Sequence, residues 1–496
     1  PANFAARPWV LTQPPYYKDN LRANVESLNQ ALFLQDSFSP MTNLTFNVGG
    51  RLEMQKMSDL RGNAFMDLTN LAPRVSAIFD PTNDGRSRIY AHYGQYYEAV
   101  PMTLAARFFG GEGIVIRQNI SPGDCPQDPK SWTGNGEFKN CQPLSMDPLN
   151  YNVSNNGANY AVQSRLKGQY NHEIVAGLER EVAEDLTVGL TYTRRWLGNI
   201  LEDGTVDGTF ILANPGNVPQ SAVDDAQKAV DQLGKDAAAA PAGAEKDRAN
   251  AALADAQSKV ANLKNLKDAP KPERTYNALT LSANKRFSRN WLARASYTYS
   301  RLIGNYNGLY DADNDYFAPN GNNAYDTPDL FHNRRGPLAN DRPHQARLDG
   351  YYTKEVGKGA VIAGLGFSAR SGSPRNYNSA LLPGQQLIFL LPRGSAGRTP
   401  TVTQLDAKLG YRRTLSPTSS VEAFIDFFNV LNQQTVLISD DDYSYDLAAA
   451  IVNGTTEDLK FAKNAFGAPL NKNPNYGRPL AYQMPFNARL ALRLNF

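Results

Sequence analysis

The stretch MPFNARLALRLNF, residues 484–496, decides the fold class. Apolar side chains occupy alternate positions from Phe486 to Phe496, and mainly polar ones lie between them. This period-two alternation is typical of a β-strand with one apolar and one wet face. A length of roughly ten residues suits a tilted strand that crosses a bilayer, with Phe496 at the periplasmic interface. We therefore expect a membrane-spanning strand, with an edge strand of a soluble sandwich as the alternative.

The composition narrows the class of protein. The chain has 496 residues, 25 Tyr, 22 Phe and a mean hydropathy of −0.48. A polar average normally indicates a soluble protein, but membrane barrels also look polar because half of each strand faces water. No apolar run reaches the roughly 18 residues that a transmembrane helix needs. A net charge of +3 is too small for a chain of this length to indicate nucleic-acid binding.

Alternation like that of residues 484–496 recurs along the chain and predicts about thirteen strands. Short turns and long loops follow one another in strict alternation, which is typical of outer-membrane barrels and has no reason to occur in soluble sandwiches. All the short turns fall at the same end of the predicted sheet. The predicted strands are residues 31–38, 44–57, 71–80, 88–98, 171–182, 186–199, 276–287, 291–303, 345–354, 361–370, 402–414, 421–432 and the last strand.

One segment, residues 218–266, does not fit a β pattern. Apolar residues recur there at three- and four-residue spacings in two halves, separated by AAPAG at 239–243. We interpret it as a helical hairpin inserted in a long extracellular loop. The alternative is an Ala-rich flexible linker.

The two cysteines, Cys125 and Cys141, lie in one loop rich in Gly, Pro and Asn. We expect them to form a disulfide, which indicates an oxidising compartment outside the cytosol. Two free thiols are the alternative, and a metal site built from two cysteines without a nearby His is poorly supported.

The order of these motifs resembles the C-terminal half of a TonB-dependent outer-membrane transporter of the Oar-like subgroup. The resemblance implies an antiparallel transmembrane barrel of about 22 strands in the bacterial outer membrane. It also implies partners: outer-membrane lipid and lipopolysaccharide, a plug domain, TonB and a substrate. The segments that carry the resemblance are LFLQDSF (32–38), VGGR (48–51), LAPRV (71–75), YAHYGQYY (90–97), DRPHQARL (341–348), SGSP (371–374) and FFNVLN (427–432).

Nothing in these 496 residues corresponds to the family's plug, its TonB box or its first strands. An open sheet would leave two edges in lipid, where each unpaired backbone group costs several kcal/mol. We therefore expect a fragment or one chain of a split protein, with residues 1–27 as a leading extracellular segment and 28–496 as the barrel portion. The rival is a complete fourteen-stranded barrel in which residues 17–27 supply the missing strand.

Candidate chemistry is sparse. The four His residues show no metal-ligand spacing or catalytic grouping, and no phosphate-binding Gly loop is present, so we expect no enzyme. Asp311, Asp313 and Asp315 place carboxylates at alternate positions, which suits Ca²⁺. Solvated acidic residues at a loop tip are the alternative, and no other cofactor is predicted.

Charges of both signs lie on the polar parity of the predicted strands. In a barrel they would line the wet lumen, either bonded to the plug and to one another or along a permeation path. The predicted lumen-lining residues are Arg489, Arg493, Glu422, Asp426, Asp406, Lys408, Arg412, Arg347 and Asp349.

Three functions are compatible with these features. The first is TonB-dependent transport of an unidentified substrate, and the second is a structural or adhesion barrel that binds surface partners through its loops. A soluble secreted β-protein is the third. The loops that would recognise a substrate cannot be derived from the sequence, so its identity stays open.

Overall fold

A computed structural model describes residues 26–58, 64–102, 161–207, 210–313, 322–382 and 386–496. It adds the backbone of six short strands before residue 152. These described residues form one main sheet, several smaller sheets and the loops between them.

The main sheet has fourteen strands, and thirteen of them follow one antiparallel path in chain order. Each inner strand of this path pairs with the strand before it and the strand after it, and the two end strands pair with one neighbour each, so the sheet is a meander. The thirteen strands are β1 (Glu26–Met41), β2 (Leu44–Ser58), β3 (Ala64–Phe79), β4 (Ser87–Tyr97), β5 (Tyr170–Ala183), β6 (Leu186–Asn199), β7 (Arg274–Ser288), β8 (Trp291–Gly304), β9 (His344–Val356), β10 (Gly359–Arg370), β11 (Val402–Thr414), β12 (Ser420–Phe428) and β13 (Asn487–Asn495).

The thirteen strands correspond one to one with those predicted from alternation, but several boundaries differ. β1 and β3 begin earlier than predicted, at Glu26 and Ala64. The predicted strand 421–432 was wrong at its end, because β12 stops at Phe428. Asn429 and Asn432 adopt φ of 50° and 49°, a left-handed conformation that a strand does not contain.

Short links predominate at one end of the sheet and long loops predominate at the other end. Residues 42–43, 80–86, 184–185, 289–290, 357–358 and 415–419 connect strands at one end of the sheet. The opposite end carries the long loops 98–169, 200–273, 305–343, 371–401 and 429–486, together with the short link 59–63. The predicted alternation of short turns and long loops therefore holds except at residues 59–63, where β3 begins earlier than predicted and leaves a short link.

The loop between β6 and β7 carries two antiparallel helices, α1 (Gln220–Ala239) and α2 (Ala244–Asp268). None of the helices in the described ranges is long and apolar enough to cross a membrane. The remaining short elements are strands Trp9–Thr12, Tyr16–Tyr17, Ile114–Ile116, Gln118–Ser121, Gln142–Pro143, Leu149–Tyr151, Ala161–Val162, Glu202–Gly204, Ile211–Ala213, Gly336–Pro337, Asn378–Leu382, Gln386–Phe389, Val436–Ser439, Asp442–Leu447 and Pro479–Tyr482, and 3₁₀ turns Pro328–Phe331 and Asp458–Phe461.

The buried apolar clusters lie mainly in the long loops. One joins the two helices to the loop after β8 through Val223, Leu263, Leu266 and Tyr306. A second joins the loops after β8, β10 and β12. Because each cluster draws on several loops, the loops pack as one layer above the sheet, which we call the loop layer.

Candidate functional site

The strand register gives the sheet a charged face and an apolar face. Arg489 of β13 stands opposite Asp426 of β12, which stands opposite Lys408 of β11. The neighbouring positions are Leu490, Ile425 and Leu409, which therefore lie on the other face. The register places all nine predicted lumen-lining residues on the charged face: Arg489, Arg493, Glu422, Asp426, Asp406, Lys408, Arg412, Arg347 and Asp349.

The apolar face is exposed along most of the sheet. Leu490 is 79% exposed, and Leu409 and Leu365 are 53% and 50% exposed. Exposed apolar rows of this extent in a soluble protein would mark an interaction surface, whereas a membrane barrel turns them to lipid.

Aromatic side chains border the apolar face at both of its ends. Trp291, Tyr352 and Tyr411 lie near the short links. Near the loop layer, the His172 ring stacks on Trp196 with centroids 4.7 Å apart, and Tyr93 Oη lies 3.0 Å from His172 Nδ1. Two aromatic belts that flank an apolar band are the pattern of an outer-membrane barrel wall.

The charged face carries two sets of ion pairs at the β11–β13 end. Arg489 Nη2 donates to Asp426 Oδ2 at 2.7 Å. Glu422 lies between two cations, with Lys408 Nζ at 3.4 Å and Arg493 Nη1 at 3.7 Å. These residues bind one another, as the structural account of the predicted lumen lining expects.

Asp406 has a different partner. Its Oδ1 accepts the backbone N–H of Asn429 at 2.8 Å, and Gln404 Nε2 donates to both carboxylate oxygens at 3.0 Å. Asn429 also donates through Nδ2 to the carbonyls of Gln433 and Met484. The side chain of Asn429 thus fixes the start of the loop that follows β12. This explains why an Asn occupies that position of the FFNVLN segment.

Arg347, Asp349 and Arg412 take no ion pair among the described residues. Arg347 stands between Ser296 and Ser368 in the register, and Asp349 lies opposite Arg294. These three charges are therefore available to a group that enters from outside the sheet.

Comparison with known proteins identifies the family. The family model described as "Outer membrane beta barrel domain" matches residues 60–370, which is more than half of the chain. The chain belongs to this family. It is also 32% identical over 495 residues to the TonB-dependent transporter Oar of Myxococcus xanthus. The match covers 94% of this chain and 42% of that relative, so the chain spans less than half of the relative's length.

Two solved structures are similar over most of the chain. The outer-membrane transporter YddB of Escherichia coli is 12% identical, with 94% of this chain and 45% of that chain covered and a TM-score of 0.46. The ferripyoverdine receptor of Pseudomonas aeruginosa is 10% identical, with coverages of 95% and 39% and a TM-score of 0.43.

Family membership fixes the surroundings of the sheet. The outer membrane β-barrel domain lies in the bacterial outer membrane, and its apolar face contacts lipid. The short links lie on the periplasmic side and the loop layer is extracellular. The expected resemblance to Oar-like transporters is confirmed, and the named relative is a transporter rather than an enzyme, in agreement with the prediction.

The loop layer is held by ion pairs between loops that are distant in sequence. Asp341 is 1% exposed, pairs with Arg398 and accepts the backbone N–H of Leu302 at 2.6 Å. Arg375 Nε donates to Asp441 Oδ1 at 3.1 Å, and burial raises the pKa of the Asp441 carboxyl. Neither pair was predicted from the sequence, although the DRPH segment contains Asp341.

The predicted Ca²⁺ ligands are only partly described. Asp311 is buried and accepts a hydrogen bond from Asn307 Nδ2 at 2.9 Å. Asp313 pairs with the buried Arg393 instead of standing free, and Asp315 lies outside the described residues. Within the described ranges no group of three or more His, Cys, Asp or Glu could hold a metal. The calcium site therefore stays a prediction, as does the Cys125–Cys141 disulfide, since both cysteines lie outside the described residues.

A polar cavity of about 440 Å³ opens at the base of the loop layer. Arg342, Arg375, Ser373 and Asn376 line it opposite Asp440–Asp442. Asp441 is already held by Arg375 and by the backbone N–H of Asn376 at 2.8 Å. The cavity therefore belongs to the framework that positions the extracellular loops.

Thiol labelling can test which face of the sheet is wet. In a background with Cys125 and Cys141 replaced by Ala, we expect Ser368→Cys on the charged face to react with a membrane-impermeant maleimide. We expect Leu365→Cys, three residues away on the apolar face of β10, to react at least about tenfold more slowly. Contact with lipid disfavours the charged thiolate, which is the form that reacts with the maleimide. Equal rates at the two positions would contradict a water-lined charged face.

Proposed function

We propose that the chain forms the C-terminal wall of a TonB-dependent transporter that moves an unidentified substrate across the outer membrane. The likeness to Oar over 94% of the chain is the observation that carries the proposal. The plug domain and the remaining barrel strands would act as partners, supplied by regions that correspond to the unmatched part of the relative. TonB, a separate protein, would act as a further partner and would bind through that N-terminal region.

The charged face is suited to the proposed role. Ion pairs such as Arg489–Asp426 keep the wall polar without leaving desolvated charges. Arg347, Asp349 and Arg412 offer charges of both signs to a plug that must bind and later move. A polar interface that exchanges its partners with water costs less to open than a packed apolar one. The adhesion alternative draws no support from the relatives.

The test uses the full-length encoded protein in its own bacterium. Three strains are compared: one with the gene deleted, one without TonB and one that carries the restored gene. We expect the deletion to change the retention or uptake of a defined set of molecules, and the loss of TonB to change the same set. A deletion phenotype that is absent from the TonB-deficient strain would overturn the proposal. As a control, the deletion strain is also restored with a Lys354→Gln variant. This variant removes one charge from the apolar face near the periplasmic end and should restore the parent behaviour.

A further inference from the structure

Three polar side chains interrupt the apolar face just below the loop layer. Arg194 of β6 stands opposite Asn277 of β7, and Asn277 stands opposite Arg301 of β8. We call these three residues the outer-rim row. Adjacent strands lie about 4.8 Å apart, so the two arginine backbones are roughly 10 Å from each other. Both arginine side chains are exposed.

The outer-rim row has no acidic partner within the described residues. Strands β6, β7 and β8 contain no Asp or Glu, and three acidic residues of the adjoining segments are paired with other arginines. Glu173 pairs with Arg195, Glu273 binds Arg335 at 2.7 Å, and Asp341 pairs with Arg398. Two cations therefore face outward without an ion-pair partner in the part of the chain that the structure describes.

The neighbours of the row fix its height and orient its donors. The Arg194 guanidinium lies 5.3 Å from the centre of the Trp196 ring, and Trp196 is two residues closer to the loop layer. Tyr192 Oη donates to Asn277 Oδ1 at 2.9 Å, which leaves the Asn277 amide N–H groups free to donate. Below the row lie the exposed side chains of Leu279, Tyr192 and Tyr299.

This position matches the boundary between the hydrocarbon and the head groups of the outer leaflet. Arginine on the lipid face is costly at the midplane and costs little near the interface, where its side chain reaches the polar region. Guanidinium groups form paired, charge-assisted hydrogen bonds with phosphate oxygens. Since the row points away from the charged face, the interior of the barrel cannot supply its ligand.

We propose that the outer-rim row binds the phosphate groups of lipopolysaccharide in the outer leaflet. Arg194 and Arg301 each engage a phosphate oxygen, and the Asn277 amide donates a further hydrogen bond between them. The barrel is thereby fixed in rotation and height against one lipid, on the wall below the helical hairpin.

The experiment measures lipopolysaccharide binding by the full-length protein, purified in detergent from outer membranes and stripped of lipid. The test variant is Arg194→Gln/Arg301→Gln. The matched control, Lys354→Gln/Arg413→Gln, removes two cations from the same face near the periplasmic end. Heat-modifiable electrophoretic mobility checks that both variants are folded. Each protein is titrated with purified lipopolysaccharide and with the same material after chemical removal of its phosphates.

Each basic side chain near an anionic membrane surface contributes about 1 kcal/mol, so the test variant should bind about 30-fold more weakly than the parent. The control variant should bind within about twofold of the parent, and dephosphorylated lipopolysaccharide should bind the parent no better than the test variant. Unchanged affinity of the folded test variant, an equal loss in the control, or indifference to the phosphates would each overturn the proposal. None of these outcomes depends on transport.

Discussion

Replacing Asp341 with alanine is expected to destabilise the extracellular loop layer by about 3 kcal/mol, the scale for breaking a buried ion pair by removing one partner. The carboxylate is 1% exposed and serves two groups at once. It pairs with Arg398 across 57 residues of sequence, and it accepts the Leu302 N–H at the end of β8. Alanine leaves the guanidinium without its anion and the N–H without an acceptor.

Limited proteolysis of intact outer membranes measures this effect, because the loops face outward and the strands are shielded by lipid. The Asp341→Ala variant should be cleaved within residues 305–343 and 371–401 at least about tenfold faster than the parent, since opening of the loops would be the limiting step. Glu457→Gln is the matched control, because it breaks an exposed pair with Lys460 that is worth less than about 0.5 kcal/mol. If Asp341→Ala and Glu457→Gln resist protease equally, the Asp341–Arg398 pair does not hold the loops.

Most of the sheet could be predicted because each strand carries its own signal. Alternation along residues 484–496 separates Leu490 from Arg489 without any knowledge of the neighbouring strand. Antiparallel pairing then carries the same parity to Asp426 and Lys408, so the register places these charged residues on one side of the sheet. Whether this face borders a lumen stays a prediction.

The loop layer could not be predicted, because its contacts join residues whose spacing carries no period. Asp313 meets Arg393 across 80 residues, and Glu202 meets Tyr306 across 104. No local pattern marks Asp313 as the partner of an arginine, so a row of aspartates was interpreted as a possible cation site. The end of β12 failed for a local reason, because Asn429 and Asn432 form a turn inside a segment whose apolar residues continue the alternation.

The outer-rim row could not be recognised from the alternation within single strands. Arg194 and Arg301 occur on the parity that faces lipid, and a single strand gives no reason for a cation there. Their meaning depends on the register, which aligns them across β7, and on the acidic side chains of neighbouring loops, which are already paired. Both facts require the folded sheet.

Replacing Glu202 with glutamine is expected to stabilise the loop layer above neutral pH and to remove a pH dependence that the parent shows. Glu202 is 2% exposed and accepts a hydrogen bond from Tyr306 Oη at 2.8 Å. Burial raises the pKa of this carboxyl well above its ordinary value of 4.5, and the neighbouring acids Asp203, Asp326 and Asp311 raise it further.

The sign of the pH dependence follows from proton linkage. The folded loops retain the Glu202 proton at pH values at which the unfolded chain has released it. The stability contributed by the protonated group is therefore complete below about pH 4.5, and is lost progressively as the pH rises toward the folded pKa. Glutamine has no proton to lose and keeps an oxygen that accepts the hydrogen bond of Tyr306.

Hydrogen–deuterium exchange of residues 200–213, corrected for the intrinsic pH dependence of exchange, measures the opening of this part of the loop layer. Between pH 5 and 8 the parent should lose protection from exchange, while Glu202→Gln should keep it nearly constant. At pH 8 the free energy of opening should be larger in the variant than in the parent by about 1–3 kcal/mol. Glu184→Gln is the control, because that side chain is exposed in a periplasmic turn and pairs with Arg289. A parent whose protection does not fall with pH, or a glutamine variant that falls equally, would show that Glu202 is not the titrating group.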